Sequence, residues 1–326
     1  MPSASLPAHA RTDALSRRLR FSAPNPLVRR LVLTEADYLI FEAIDRHGPL
    51  PTHYLYEFTK HLRRDFTHLQ NRLTEFYNGD QVGGKAGSYL NRPPRQFAGF
   101  EARYQHMVYD LAPRAKAALA ERGTLARHSL RCGGPFLHQL MSACVGASLE
   151  VAARDAGVRY IAREEIISHP KCRKPREALN PMAIPLPGAD QRTLIPDDLF
   201  GFQYSGGGFR FFAIEIDRCS ESIESNRRTK NSFSAKIAGY QQILAQGAHT
   251  QWWGIPNLTV LTVTTNRTHA ANLIDYIRRQ DQYLDRFAFA VEPSFGANWR
   301  VPKHILADLL HLPWATAAGA KDIGKA

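Results

Sequence analysis

The chain is poor in cysteine, short of acid and lacks long apolar runs. Its four cysteines, Cys132, Cys144, Cys172 and Cys219, form no C-x-x-C pair. That spacing excludes a zinc ribbon and a thioredoxin-like motif. So few cysteines in 326 residues fit a reducing cytoplasm. No apolar run approaches about 18 residues, so no membrane span is expected. The first residues lack the apolar segment of a secretory signal. No G-x-S-x-G string marks a nucleophile elbow, and no G-x-x-x-x-G-K-[ST] loop marks nucleotide hydrolysis. The glycines of "YSGGGF" join two expected strands and open no helix, so they read as a turn. No internal repeat is found.

The shortage of acid is the more telling absence. Lys and Arg number 42 against 30 Asp and Glu, a formal net charge of +12 and a pI near 9.7. Such an excess points to an anionic partner, above all nucleic acid. The excess is uneven. Residues 1–131 hold 20 basic and 12 acidic residues, and the remainder 22 and 18. The N-terminal part is therefore the better candidate for phosphate contact. Residues 1–30, Arg-rich and acid-poor, read as a basic arm.

Helical signals begin at Thr34, an N-cap followed by Glu35 and Asp37. Leu39, Ile40, Ala43 and Ile44 continue them at helical spacing, and Gly48-Pro49 stops them. Thr52 opens a second short helix. Asp65 caps a third, with Phe66, Leu69, Leu73 and Phe76 on one face and Thr67, His68, Asn71, Arg72 and Glu75 largely on the other. Three short helices with a tight second connection fit a helix-turn-helix, whose third helix would lie in the major groove. A Gly-rich turn, a strand at "HMVYDL" and an Ala-rich helix from Pro113 follow, and resemble the wing and close of a winged helix. Thr67, His68, Asn71 and Arg72 would then meet bases and phosphates, with Arg92, Arg95 and Arg103 on or near the wing. The plainer alternative is a protein-contact or dimerisation module.

Polar, Gly-rich residues 123–135 mark a boundary. Beyond it the expected order is α-β-β-β-α-β-α-β, an α/β layer structure around a mixed sheet. The helix at 136–157 comes first, and "VRYIAREEII", "TLIPDDLFGFQY" and "GFRFFAIEIDR" are the first three strands. The tail from Ala315 is expected to be disordered. The last two of those strands form a hairpin. It brings Asp197 and Asp198, early in one strand, near Glu215 and Asp217, late in the next. Glu215 and Asp217 share a face. Carboxylates gathered in this way suit Mg²⁺ or Mn²⁺, which could activate water against a phosphodiester. The plainer alternative is a turn-capping Asp197 and cross-hairpin salt bridges to Arg210 or Arg218. His138 is expected to be a packed, hydrogen-bonded residue. Trp252 and Trp253 are expected to cover the core rather than stack on bases.

From about residue 135 to 295 the pattern resembles the PD-(D/E)XK nuclease superfamily. The resemblance makes Pro196-Asp197-Asp198 the "PD" element, Asp197 or Asp198 a metal ligand and Glu215 the second acid. Asp217 occupies the motif's lysine position. Lys236, in "KIAGY", could supply the lysine from the next helix, with Arg218 and Lys230 as weaker substitutes. Asp198, Glu215, Asp217 and Lys236 would then be catalytic. A winged helix followed by "PDD…FAIEIDR…SFSAKIAGY" is similar to the replication-relaxation family. That likeness implies a DNA-binding accessory factor of plasmid or mobile-element replication or mobilisation. It would comprise a winged-helix domain at 31–124, a nuclease-like domain at 135–314 and a tail at 315–326. DNA, other replication or mobilisation proteins and a second copy of the chain are the expected partners. A metal-dependent endonuclease is the rival, and a recruiting module on a relic nuclease fold is the third reading.

Overall fold

The computed structural model describes residues 23–27, 29–82, 85–97, 105–124, 135–173, 180–186, 192–218 and 233–325. The basic arm to residue 22, Arg103 and Lys230 lie outside them. The chain divides into two compact units, residues 1–125 and 126–326.

In the first unit, α1 (Glu35–His47) and α2 (Thr52–Thr59) are joined through β1 (Leu50–Pro51). A single 3-10 turn leads into α3 (Phe66–Asn78). Then come the hairpin of β2 (Asp80–Val82) and β3 (Lys85–Gly87), β4 (Leu90–Asn91), β5 (Val108–Leu111) and α4 (Pro113–Arg122). β5 is the centre of a small sheet, β1-β5-β4. The local chemistry explains the helix starts. The Asp37 carboxylate accepts from both the amide and the hydroxyl of Thr34, each at 2.9 Å. The Asp65 carboxylate accepts from the His68 amide at 2.7 Å. Both satisfy amides that a helix start leaves without partners. The core gathers Ile40, Phe41, Ile44, Leu55, Leu69, Leu73 and Phe76, all buried. Phe41 packs on Phe76 with ring centres 5.0 Å apart and stacks on Tyr89.

The second unit is α/β. Its mixed sheet has the order β14-β13-β12-β11-β10-β9-β6, and its strands are β6 (Arg159–Ile161), β9 (Asp198–Gln203), β10 (Phe209–Asp217), β11 (Thr259–Thr264), β12 (Phe287–Val291), β13 (Trp314–Thr316) and β14 (Gly319–Lys321). β10, β11 and β12 run parallel, and the other pairings are antiparallel. A two-stranded ribbon, β7 (Ile184–Pro185) with β8 (Thr193–Leu194), lies apart from the sheet. The helices are α5 (Phe136–Asp155), α6 (Arg163–Ser168), α7 (Phe233–Ala245), α8 (Ala248–Trp253), α9 (Arg267–Gln280) and α10 (Asp308–His311).

Strand alternation sorts the sheet into two faces. Leu199, Ala213, Val260, Phe287 and Phe289 join one apolar cluster with Ile237, Tyr240, Ile243 and Trp253 of α7 and α8 and Leu273 and Ile277 of α9. The other face carries an aromatic row, with Phe200 stacked between Tyr160 at 5.3 Å and Phe212 at 5.1 Å. The β9–β10 hairpin turns where the Tyr204 amide reaches the Gly208 carbonyl. Gly207 there has φ +83°, a conformation that suits glycine.

Three expectations change. The tail is not disordered: β13 and β14 form a hairpin on the sheet edge, and Trp314 and Ile323 are buried. "VRYIAREEII" is a strand only at β6. From Arg163 it is helical, because Glu164 and Glu165 favour a helix's first turn. "TLIPDDLFGFQY" breaks at Pro196, which has no amide to donate to a ladder. Its first part pairs with β7 and its second with β10. By length and composition α5 could cross a membrane, and 78% of its apolar window is buried. A helix apolar all round is also what a core position demands.

Candidate functional site: an acidic cluster and a helix face

Ile214 and Asp198 are register partners across the β9–β10 hairpin, so they share a face. Glu215 must then point the other way. Asp198 and Glu215 thus lie on opposite faces of the sheet, whereas Asp197, one residue before β9, acts electrostatically on Glu215. Asp198 is buried and bonded to the Arg163 guanidinium at 2.7 Å and to the Leu199 amide at 2.8 Å. Burial opposes the charge on Arg163, but Asp198 and Glu164 hold it on, above its ordinary value.

Asp197 sits one residue before β9. Its amide donates to the Ile214 carbonyl, and its carboxylate accepts from the Ile216 amide at 2.8 Å. His138, in the first turn of α5, approaches it with Nε2 at 3.3 Å. Burial opposes ionisation of Asp197. The His138 bond, the nearby Lys236 ammonium and the Ile216 amide outweigh it, and the carboxyl stays below its ordinary range. The same bond raises His138, against its own burial.

Glu215 lies on the face covered by α7. Lys236 donates to its Oε2 at 3.1 Å, and the Tyr240 hydroxyl donates to its Oε1 at 2.6 Å. Lys236 and Tyr240 are four residues apart, one turn of helix, which is why both reach one carboxyl. Burial pushes Glu215 up to about 7, with Asp197 adding and Lys236 and Tyr240 opposing. Burial and Glu215 together push Tyr240 well above its ordinary value. Asp217, two residues on, is bonded to His269 Nε2 at 2.6 Å. His269 stands in the first turn of α9, whose start is capped by Asn266.

Each candidate acid therefore has its own internal base: Asp198 has Arg163, Asp197 has His138, Glu215 has Lys236 and Asp217 has His269. A divalent cation would need open carboxylate oxygens converging on one point. Here Asp198 faces away, Asp217 is engaged by His269, and both oxygens of Glu215 are engaged. Among the described residues, no group of three or more His, Cys, Asp or Glu is placed to hold a metal ion. This donor set, as arranged, does not fit Mg²⁺ or Mn²⁺.

In the first unit, α3 exposes Thr67, His68, Gln70 and Asn71, and the preceding turn exposes Lys60, His61 and Arg64. Arg72 does not belong to that face. Its guanidinium is held by Asp37 at 2.8 Å, Glu75 at 2.8 Å and the Val32 carbonyl at 2.6 Å. Arg92 is also engaged internally, over the Tyr77 ring at 4.1 Å and bonded to the Tyr109 hydroxyl at 3.0 Å. Arg95 is exposed. Sequence reading passed over Arg163, treated His138 as ordinary and left His269 unmarked. Their acids lie 35, 59 and 52 residues away, so no local pattern marks them. Trp253 is buried in the core, and Trp252 packs beside it.

The fold and site define a two-unit protein whose second unit is an α/β layer structure with a row of internally neutralised acids. The replication-relaxation family profile matches residues 41–258, and the chain belongs to that family. Membership supports a role in replication or relaxation of plasmids or mobile elements. Comparison with curated proteins and with solved structures gives no match.

Proposed function

We propose that the chain is a DNA-binding accessory protein of plasmid or mobile-element replication or mobilisation. In this reading the first unit is a winged helix-turn-helix. α3 enters the major groove and the β2–β3 hairpin serves as the wing. The second unit is a nuclease-like domain that does not cut. The observation that carries the reading is the exposed edge of α3. Thr67, His68, Gln70 and Asn71 can bond base edges, flanked by Lys60 and Arg64 for phosphates, on a chain of net charge +12. Internal neutralisation of each acid supports the non-cutting half.

The test is fluorescence anisotropy of a mixed-sequence duplex over a salt series, with cleavage of supercoiled plasmid run alongside. Affinity is expected to fall steeply with salt. A His68→Ala, Asn71→Ala double variant is expected to lose about tenfold or more. Plasmid is expected to stay intact with Mg²⁺, Mn²⁺ or chelator. Nicking that needs metal and disappears in Glu215→Ala would instead make the chain an endonuclease. Salt-independent binding, or full affinity in the α3 variant, would sink the winged-helix assignment.

A further inference from the structure

Asp197 and Glu215 are the two carboxylates that act on each other electrostatically, and one cation serves both. The Lys236 ammonium bonds Glu215 at 3.1 Å and acts electrostatically on Asp197. It comes from the middle of the first two turns of α7, with Tyr240 one turn behind it fixing the second Glu215 oxygen at 2.6 Å. Glu215 itself is 2% exposed, whereas a third of the Lys236 side chain reaches solvent. Lys236 is thus the partly exposed member of the pair and Glu215 the buried one.

We propose that Lys236 is a tethered cation standing where a divalent metal would neutralise Asp197 and Glu215, so that the second unit meets a DNA phosphodiester through this ammonium and without a metal. A covalently held ammonium gives the electrostatic service of a bound ion at a fixed position. It cannot be removed by chelation, and it lowers the pKa of no water, so the same arrangement holds a phosphate without activating a nucleophile. The cation half stands on the Lys236–Glu215 bond, with the electrostatic action of Lys236 on Asp197, beside His138, in support. The phosphodiester half rests on the DNA-binding reading above.

The full-length protein tests both halves. Thermal unfolding is followed in EDTA and in millimolar Mn²⁺ for wild type, Lys236→Met, Lys236→Gln and the Lys236→Met, Glu215→Gln double variant. Wild type is expected to unfold at the same temperature in both. The two single variants are expected to unfold earlier in EDTA and to recover a few degrees in Mn²⁺, since an ion that binds only the folded state stabilises it. The double variant is expected not to recover. A Glu215-dependent rise in wild type, or no Mn²⁺ response in a folded single variant, overturns the cation half. DNA binding is then measured in EDTA. Lys236→Gln is expected to show a salt slope shallower by about one unit, with the α3 face intact. An unchanged slope, while the His68, Asn71 variant still loses affinity, overturns the phosphodiester half and leaves the winged-helix reading standing. If wild type binds no DNA, that reading and the phosphodiester half fall together, and the unfolding experiment still decides the cation half.

Discussion

Each unit buries an acid in a different company. Asp37 in the first unit is fully buried and receives Arg63 at 2.5 Å, Arg72 at 2.8 Å and both donors of Thr34. Burial opposes its charge, yet the two guanidiniums and Thr34 prevail, and Asp37 lies below its ordinary value. Glu215 in the second unit is almost as buried, but has one ammonium and one phenol, and burial pushes it up to about 7. Burial alone does not decide whether an acid stays ionised. The number and kind of its donors do. Two guanidiniums make a permanent ion pair that ties α1 to α3, whereas one ammonium and a hydroxyl leave a carboxyl that titrates near neutrality.

Breaking the first arrangement has the larger effect. Asp37→Ala takes the acid from Arg63 and leaves Arg72 with Glu75 alone, at side-chain exposures of 4% and 13%. The expected loss is about 3–5 kcal/mol, read from denaturant unfolding of the full chain. A loss below about 1 kcal/mol, the range of an exposed pair, would show that Asp37 is not the hub of the unit. The second arrangement is sharpened by pH. Glu215 titrates at about 7 when folded, against an ordinary 4.5. Below the lower value both states are protonated. Between the two, the unfolded chain ionises while the native one resists, so stability falls as pH rises, by about 3 kcal/mol over the window. Glu215→Gln is expected to remove that slope. His138, whose folded value is raised, contributes stability below its ordinary 6.5 that is lost as pH rises past the folded value. A slope above that point should therefore survive in Glu215→Gln. Urea unfolding between about pH 4 and 8 reads both windows. An unchanged slope across the Glu215 window in the variant would deny the carboxyl its perturbed state.

What the sequence reveals follows from the range of the interactions involved. The starts of α1 and α3 were legible because Thr34 and Asp65 act within three residues, and the apolar spacing of Leu69, Leu73 and Phe76 marks a helix by itself. The β9–β10 hairpin and the β11 strand were legible for the same reason. Asp197 acts on Glu215 electrostatically, whereas the expected convergence of Asp198 with Glu215 fails on parity. A step of one residue moves a side chain to the opposite face, and Pro196 decides which acid stands in the ladder. Arg72 looked available because its partner Asp37 lies 35 residues away. The tail looked disordered because Ala and Gly give no alternation. Its order comes from pairing with β12, a partner more than twenty residues upstream. The α/β class was local information, while the electrostatics of the site were not.

The smallest effect separates two neighbouring arginines that the sequence grouped together. Arg92 lies over Tyr77 at 4.1 Å and Tyr109 at 5.3 Å and bonds the Tyr109 hydroxyl, so its charge serves the fold. Arg95, three residues on, is exposed. Arg92→Ala is expected to cost about 1–2 kcal/mol of stability through the lost ring contacts and hydrogen bond, with the salt slope of DNA binding unchanged. Arg95→Ala is expected to leave stability within about 0.5 kcal/mol and to make the slope shallower by about one unit. Calorimetry and the salt series read the two quantities independently. Were Arg92 to move the slope and Arg95 to leave it alone, the guanidinium between the tyrosines would be the one that reaches phosphate. The exposed face of the first unit would then have to be redrawn around β4 and β5 rather than α3.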